Sequence, residues 1–183
     1  MHAPPPRNRM LASDAGWCLR VNRIGARSGV RHAFAIVSRL GDGVFWYVLM
    51  AALIVFDGYA GLLASLHLAA TGTVALLLYK SLKRWTRRPR PFAVDLRIRA
   101  WIAPLDEFSF PSGHTLHAVA FSLVAVAHYP ALAWLVLPFA ASVAASRVVL
   151  GLHYPSDVLA ATAIGSALAG LSLWLVPGVS LFA

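Results

Sequence analysis

The apolar positions of the chain fall into five blocks separated by polar breaks. They are "GVFWYVLMAALIVF" (43–56), "YAGLLASLHLAATGTVALLLY" (59–79), "TLHAVAFSLVAVAHY" (115–129), "ALAWLVLPFAASVAASRVVL" (131–150) and "VLAATAIGSALAGLSLWLV" (158–176). A bilayer-crossing helix needs about 20 apolar residues, so the second, fourth and fifth blocks suffice unaided. The first and third are short. The first reaches full length if its helix runs back through Arg39 and Asp42, three apart and able to pair on one face. Trp46, Tyr79, Tyr129 and Trp174 lie near block ends, where interfacial anchors sit. In the fifth block Ala161, Gly165 and Ala169 recur every four residues, a stripe that lets helices approach closely.

The pattern predicts an all-α fold, a polytopic membrane helical bundle of five or six spans with an N-terminal interfacial helix. In residues 10–40, Trp17, Leu19, Val21, Ile24 and Val30 oppose many arginines, as in a helix lying in the headgroup region. The chain therefore divides into a basic N-terminal segment, 1–42, and a membrane domain, 43–183. Residues 1–12 read equally well as a flexible basic tail.

Composition supports a membrane class. Of 183 residues, 59% are hydrophobic and 13% charged, with a mean hydropathy of +0.69; a soluble domain is about half apolar and a quarter charged. The single cysteine, Cys18, excludes an internal disulfide framework. The first thirty residues lack the continuous apolar core of a cleavable signal peptide. The net charge of +9 is concentrated: seven arginines precede the first block, and eight basic residues crowd positions 80–99. Nucleic-acid binders are basic but not this apolar, so the partners expected are the bilayer and a phosphorylated membrane lipid, with no nucleic acid. Compact size and high alanine and arginine content point to a bacterial inner membrane; the oligomeric state stays open.

The breaks after blocks one and three are very short, whereas 80–112 is long, charged and proline-rich. Counting crossings, that connection, the start of block three and the junction of blocks four and five share one membrane face. Three polar clusters sit there: "KRWTRRPRP" (83–91), "PSGH" (111–114) and "SRVVLGLHYPSD" (146–157). Lys83, Arg90 and Arg147 supply an ammonium and two guanidinium forks that match phosphoryl oxygens. Ser112 and Gly113 stand at a helix start, where free N–H groups and the helix dipole hold anions. His153 and Asp157, four apart across Pro155, place a carboxylate where it orients one imidazole nitrogen and leaves the other free to attack. His114, at another helix start, is a proton donor to a leaving group. Three cations neutralise the transition state without a metal, so no metal or cofactor is expected.

Other polar residues have plainer readings. Arg84, Arg87, Arg88, Arg97 and Arg99 read as topology determinants or headgroup contacts. His117 and His67 read as packing and interhelical hydrogen bonding. Asp106 and Glu107 read as partners for the arginines or as a helix cap.

Lys83-x6-Arg90-Pro91, then Pro111-Ser112-Gly113-His114, then Ser146-Arg147-x5-His153-x3-Asp157 resembles the tripartite signature of the type 2 phosphatidic acid phosphatase superfamily, with every signature position present and in order. The resemblance covers about residues 43–176. It implies an integral-membrane lipid phosphatase acting on a lipid-linked phosphate or diphosphate, such as a polyprenyl diphosphate, phosphatidate or phosphatidylglycerophosphate. By that likeness His153 is the nucleophile that forms a phosphohistidine, Asp157 orients it, and His114 protonates the leaving group and later activates water. Lys83, Arg90, Ser112, Gly113 and Arg147 bind the phosphate. Vanadium haloperoxidases share the signature, but their soluble character does not fit these apolar blocks. Two alternatives keep the same site: a lipid phosphotransferase, and a non-catalytic lipid-binding membrane protein. Many bacterial members act on the extracytoplasmic face, whereas five spans and the arginine distribution place this site in the cytoplasm; the side stays open.

Overall fold

The computed structural model describes residues 9–176, all of whose regular elements are helical. Residues 1–8, most of the tail foreseen at the N-terminus, lie outside the described residues. The chain forms α1 (Arg9–Asn22), a 3-10 turn (Arg23–Ala26), α2 (Ser28–Arg39), α3 (Phe45–Thr86), a short α4 (Pro91–Val94), α5 (Gly113–His128), α6 (Ala133–Val149) and α7 (Pro155–Leu175).

The first two apolar blocks form one continuous element that reverses at Gly58, whose φ of 53° and ψ of −120° break the helix. L side chains rarely adopt that conformation, so glycine makes the tight turn possible. Residues 45–57 and 59–86 then lie antiparallel, and Ser65 Oγ donates to the Met50 carbonyl across the hairpin at 3.0 Å. Three helical stretches are long and apolar enough to cross a bilayer: Ser28–Val94, which contains this hairpin, Pro130–Val149 and Pro155–Leu175. The first block does not extend straight back through Arg39. The helix kinks at Asp42 and Gly43, and Asp42 turns toward His114, 3.5 Å from its Nε2.

At 16 residues, α5 is the shortest of the apolar helices. It is also the central one, packing against α3, α6 and α7. Leu116, Ala118, Phe121, Val124 and Ala125 are buried around its circumference, as expected of a helix that is apolar on all sides. Trp46 on the hairpin meets Phe121 at a ring-centroid distance of 5.1 Å, and Phe45 stacks on Phe139 of α6 at 4.0 Å. The stripe Ala161, Gly165 and Ala169 is buried on α7. His67 is buried with Nδ1 3.0 Å from His128 Nε2, the interhelical hydrogen bond foreseen for it.

The N-terminal segment is two helices rather than one, with Arg27 extended between them. They dock on the polar end of the bundle. Cys18 is fully buried, and Asn22 Nδ2 donates to the carbonyls of Arg99 and Val149 at 2.9 and 3.0 Å.

Close packing along α7 yields the first prediction. A Cβ added at Gly165 lies 2.8 Å from the Leu116 carbonyl oxygen, whereas one added at Gly170 meets nothing within 4 Å. Gly165→Ala is expected to cost about 1–3 kcal/mol by overpacking. Gly170→Ala is expected to be neutral or stabilising by up to about 1 kcal/mol. Thermal unfolding of both variants in detergent checks the contrast.

Candidate functional site

The turn between α6 and α7 carries the central imidazole, and its geometry is local. α6 ends with Gly151 in the left-handed region at φ 75°. Gly151 N–H donates to the Val148 carbonyl and Leu152 N–H to the Arg147 carbonyl, both at 3.0 Å, a Schellman closure. A Cβ on Gly151 would stand 2.3 Å from the Arg99 carbonyl oxygen. The Arg147 carbonyl also accepts from His153 N–H at 3.1 Å, so one glycine turn sets the nucleophile candidate relative to a phosphate-binding candidate. Pro155 is then the first residue of α7, and Asp157 accepts from Tyr154 N–H at 2.8 Å as a cap on the same helix.

His153 is almost fully buried. Its Nδ1 lies 2.7 Å from the Ser109 carbonyl oxygen and 3.6 Å from Asp157 Oδ2. The hydrogen bond expected from Asp157 is thus taken by a main-chain carbonyl, with the carboxylate one step behind. A carbonyl only accepts, so Nδ1 carries the proton and Nε2 keeps its lone pair. Burial pushes the imidazole pKa down to about 4 against the opposing pull of Asp157.

Asp157 is fully buried and satisfied from several sides. Ser109 Oγ donates to it, and Arg88 Nη1 donates at 2.7 Å. Arg88 Nη2 also donates to Asp14 of α1 at 2.6 Å, and Asp14 accepts from Ser156 N–H at 3.1 Å. Arg88 therefore corrects its sequence reading: it is a half-buried link between the N-terminal helix and Asp157, not a headgroup contact.

A cavity of about 850 Å³ opens in front of His153. Lys83, Arg90, Gly113, His114 and Arg147 line it with His153. Two predicted site residues stand behind that lining: Asp157, and Ser112, whose Oγ accepts from Thr115 N–H at 3.4 Å and lies 2.9 Å from Thr115 Oγ1. Ser112 is the N-cap of α5, which puts Gly113 and His114 at the helix's positive end. His117 packs, with its ring nitrogens 3.0 and 3.1 Å from the carbonyls of Gly113 and Gly72.

The three predicted phosphate cations differ in their partners. Lys83 Nζ donates to both oxygens of Asp106 at 2.6 and 2.7 Å and to the Phe108 carbonyl at 3.0 Å. Arg90 donates to Asp106 Oδ1 at 2.7 Å and to the Leu152 carbonyl at 2.8 Å, and its Nη1 lies 3.4 Å from His153 Nε2. Arg147 donates to Ser38 Oγ of α2, and among the described residues its buried Nε has no hydrogen-bond partner. An orphaned donor on a buried guanidinium costs free energy and marks where an anion is wanted. Among the described residues, no three His, Cys, Asp or Glu side chains converge as a metal site would require.

Asp14 and Ser109 carry no reading in the sequence; Asp42 was assigned to Arg39, Arg88 to topology or headgroups, and Asp106 to the arginines or a helix cap. One signal was available. The chain has seven acidic residues, and a carboxylate in an apolar chain needs a cation, so each acid was worth tracing.

The architecture and pocket together define a helical membrane protein with three cationic side chains gathered around one imidazole. The chain belongs to the PAP2 superfamily, whose sequence pattern matches residues 58–180. It is 33% identical over 145 residues to the decaprenylphosphoryl-5-phosphoribose phosphatase of Mycolicibacterium smegmatis, covering 74% of this chain and 73% of that protein. It is 39% identical over 77 residues to phosphatidylglycerophosphatase B of Escherichia coli K12, covering 37% of this chain but only 29% of that relative. In fold it matches the crystal structure of a transmembrane PAP2-type phosphatidylglycerolphosphate phosphatase from Bacillus subtilis. The TM-score is 0.75 over 97% of this chain and 91% of that one, at 23% identity.

Two predictions follow from the site. Arg88→Met leaves Asp157 a buried carboxylate short of its cation, a loss of about 3–5 kcal/mol, seen as a lower melting temperature in detergent. The exposed pair Arg97–Asp95, at 2.8 Å, is the control, and Arg97→Met should leave the melting temperature unchanged. Second, the His153 ring should remain neutral at pH 6, with a side-chain NMR titration midpoint below 5; a midpoint near the ordinary value of about 6.5 contradicts the burial argument.

Proposed function

We propose that the protein is a lipid phosphatase of the bacterial inner membrane, spanning it several times, that works through a phosphohistidine without a metal. The observation that carries this reading is the Ser109 carbonyl against His153 Nδ1. It leaves Nε2 as a neutral nucleophile facing a cavity walled by Lys83, Arg90 and Arg147. In the first step Nε2 attacks phosphorus and the P–O bond to the lipid breaks. His114, as the imidazolium, gives its proton to the departing oxygen. Burial and the cations beside it oppose a charge on His114, and Asp42 at 3.5 Å with the substrate's own charge supplies the compensation.

In the second step water attacks phosphorus, the P–N bond breaks, and neutral His114 takes the water's proton. Inorganic phosphate leaves and the Nε2 lone pair is restored. The cations and the positive end of α5 stabilise the charge on the equatorial oxygens throughout, the task a metal performs in other phosphatases. Asp157, tied by Arg88, Ser109 Oγ and Tyr154 N–H, favours the positive charge that His153 acquires when phosphorylated.

The relatives named above act on a decaprenylphosphoryl-5-phosphoribose and on phosphatidylglycerophosphate by their names, which supports a lipid-borne phosphate or diphosphate as substrate here. The cavity supports the same reading. Beyond the cations it continues along Trp46, Met50, Ala69, Leu76 and Phe121, an apolar wall suited to a hydrocarbon chain. Exposed Trp17, Ile24 and Ile36 on the N-terminal helices, 47–61% accessible, suit seating in the headgroup region.

Purified protein in detergent is expected to release phosphate from a polyprenyl phosphate at an unchanged rate in EDTA. His153→Ala should reduce that rate by at least about 10³-fold, the scale of losing a nucleophile. Full turnover in the variant, or loss of wild-type turnover in EDTA, refutes the mechanism.

A further inference from the structure

Asp106 is a charged residue of the pocket, held against two of its cations, that the mechanism does not use. It belongs to the segment between α4 and α5, and its side chain is 39% exposed, whereas those of Lys83 and Arg90 are 7% and 3% exposed. It therefore stands further out than the two cations it bridges. Burial would raise its pKa, but the hydrogen bond and charge of Lys83, with Arg90, hold it below the ordinary carboxylate value. It is ionised at neutral pH.

The charge of the cradle follows. Lys83, Arg90 and Arg147 against Asp106 leave two positive charges. At the rim, Lys80, Arg84 and the imidazolium of His114 face Asp42 and Glu107, one positive charge in excess, and that charge goes as the His114 proton to the departing oxygen. A phosphomonoester carries about −1.5 to −2 at pH 7, so cradle and substrate match. A diphosphate brings at least one further negative charge into the same cavity, whose lining includes Asp106. Like charges so placed repel, and repulsion of this kind discriminates between ligands that share all attractive contacts.

We propose that Asp106 makes the pocket selective for lipid phosphomonoesters over lipid diphosphates. The carboxylate acts on specificity, through the two cations it holds and through its own charge. This rests on the phosphatase reading above and narrows its substrate class.

The test compares initial rates of phosphate release from farnesyl monophosphate and farnesyl diphosphate, two substrates with one tail, by the full chain in detergent. The wild type is expected to show the higher kcat/KM on the monophosphate. Asp106→Asn should move the ratio toward the diphosphate by about tenfold, the scale of a modest like-charge penalty, and Asp106→Glu should keep the wild-type preference. A ratio within twofold of wild type in Asp106→Asn, as would follow if incoming phosphate simply displaces the carboxylate, overturns the proposal. So does a wild type that prefers the diphosphate. If the wild type turns over neither substrate, the phosphatase reading falls first and takes this one with it. A second measurement needs no variant: pyrophosphate should inhibit the wild type more weakly than orthophosphate does, and equal or tighter inhibition by pyrophosphate also overturns the proposal.

Discussion

A neutral imidazole has one lone pair to offer, and in this protein the Ser109 carbonyl decides which nitrogen keeps it. At 2.7 Å from His153 Nδ1 the carbonyl has no way to donate, so the ring's proton stays on that side. Every other feature of the pocket is arranged around the consequence, a bare Nε2 beside the guanidinium of Arg90. The carbonyl comes from the segment just before α5, and the imidazole from the turn just before α7. The tautomer is therefore a property of how two distant connections meet.

The same end of the bundle holds an unusual density of charge for so apolar a chain. Ionised groups out of water must be paired or neutralised, and the pairing is specific. Asp106 takes Lys83 and Arg90, and Asp14 and Asp157 share Arg88. Arg147 has a serine hydroxyl in place of a carboxylate. Four of the seven acidic residues of the chain lie against site side chains once Asp42 is counted. Among Lys83, Arg90, Arg147 and Asp106 two positive charges are left over, and among the described residues the buried Arg147 Nε has no hydrogen-bond partner.

The N-terminal helices belong to this arrangement and are more than a basic leader. Asp14 reaches the far side of Arg88, Asn22 ties the segments that carry Arg99 and Val149, and Ser38 meets Arg147. Amphipathic helices with exposed tryptophan and isoleucine on one side thus contribute polar caps to the site on the other. Positions that read as an interfacial helix in the sequence form a back wall behind Arg88 and Arg147.

Hydropathy alone determined that the chain is helical and membrane-bound, because a segment in hydrocarbon must satisfy its backbone internally and only a helix does so within one stretch. The spacing of Lys83, Arg90, Gly113, His114, Arg147 and His153 at the ends of those stretches was enough to place them on one face. The short break at Gly58 was legible for the same reason, since its cause lies within a few residues, whereas the glycine closure at Gly151 appears only in the structure. What only the tertiary structure decided is the pairing: that Ser109 rather than Asp157 meets His153 directly, that Arg88 alone of the run Arg84, Arg87, Arg88 turns inward, and that Asp42 leaves Arg39 for His114. Those choices depend on which side chains become neighbours after the helices pack. Neighbouring arginines in one run are chemically identical until packing removes water from one of them and brings a carboxylate within reach.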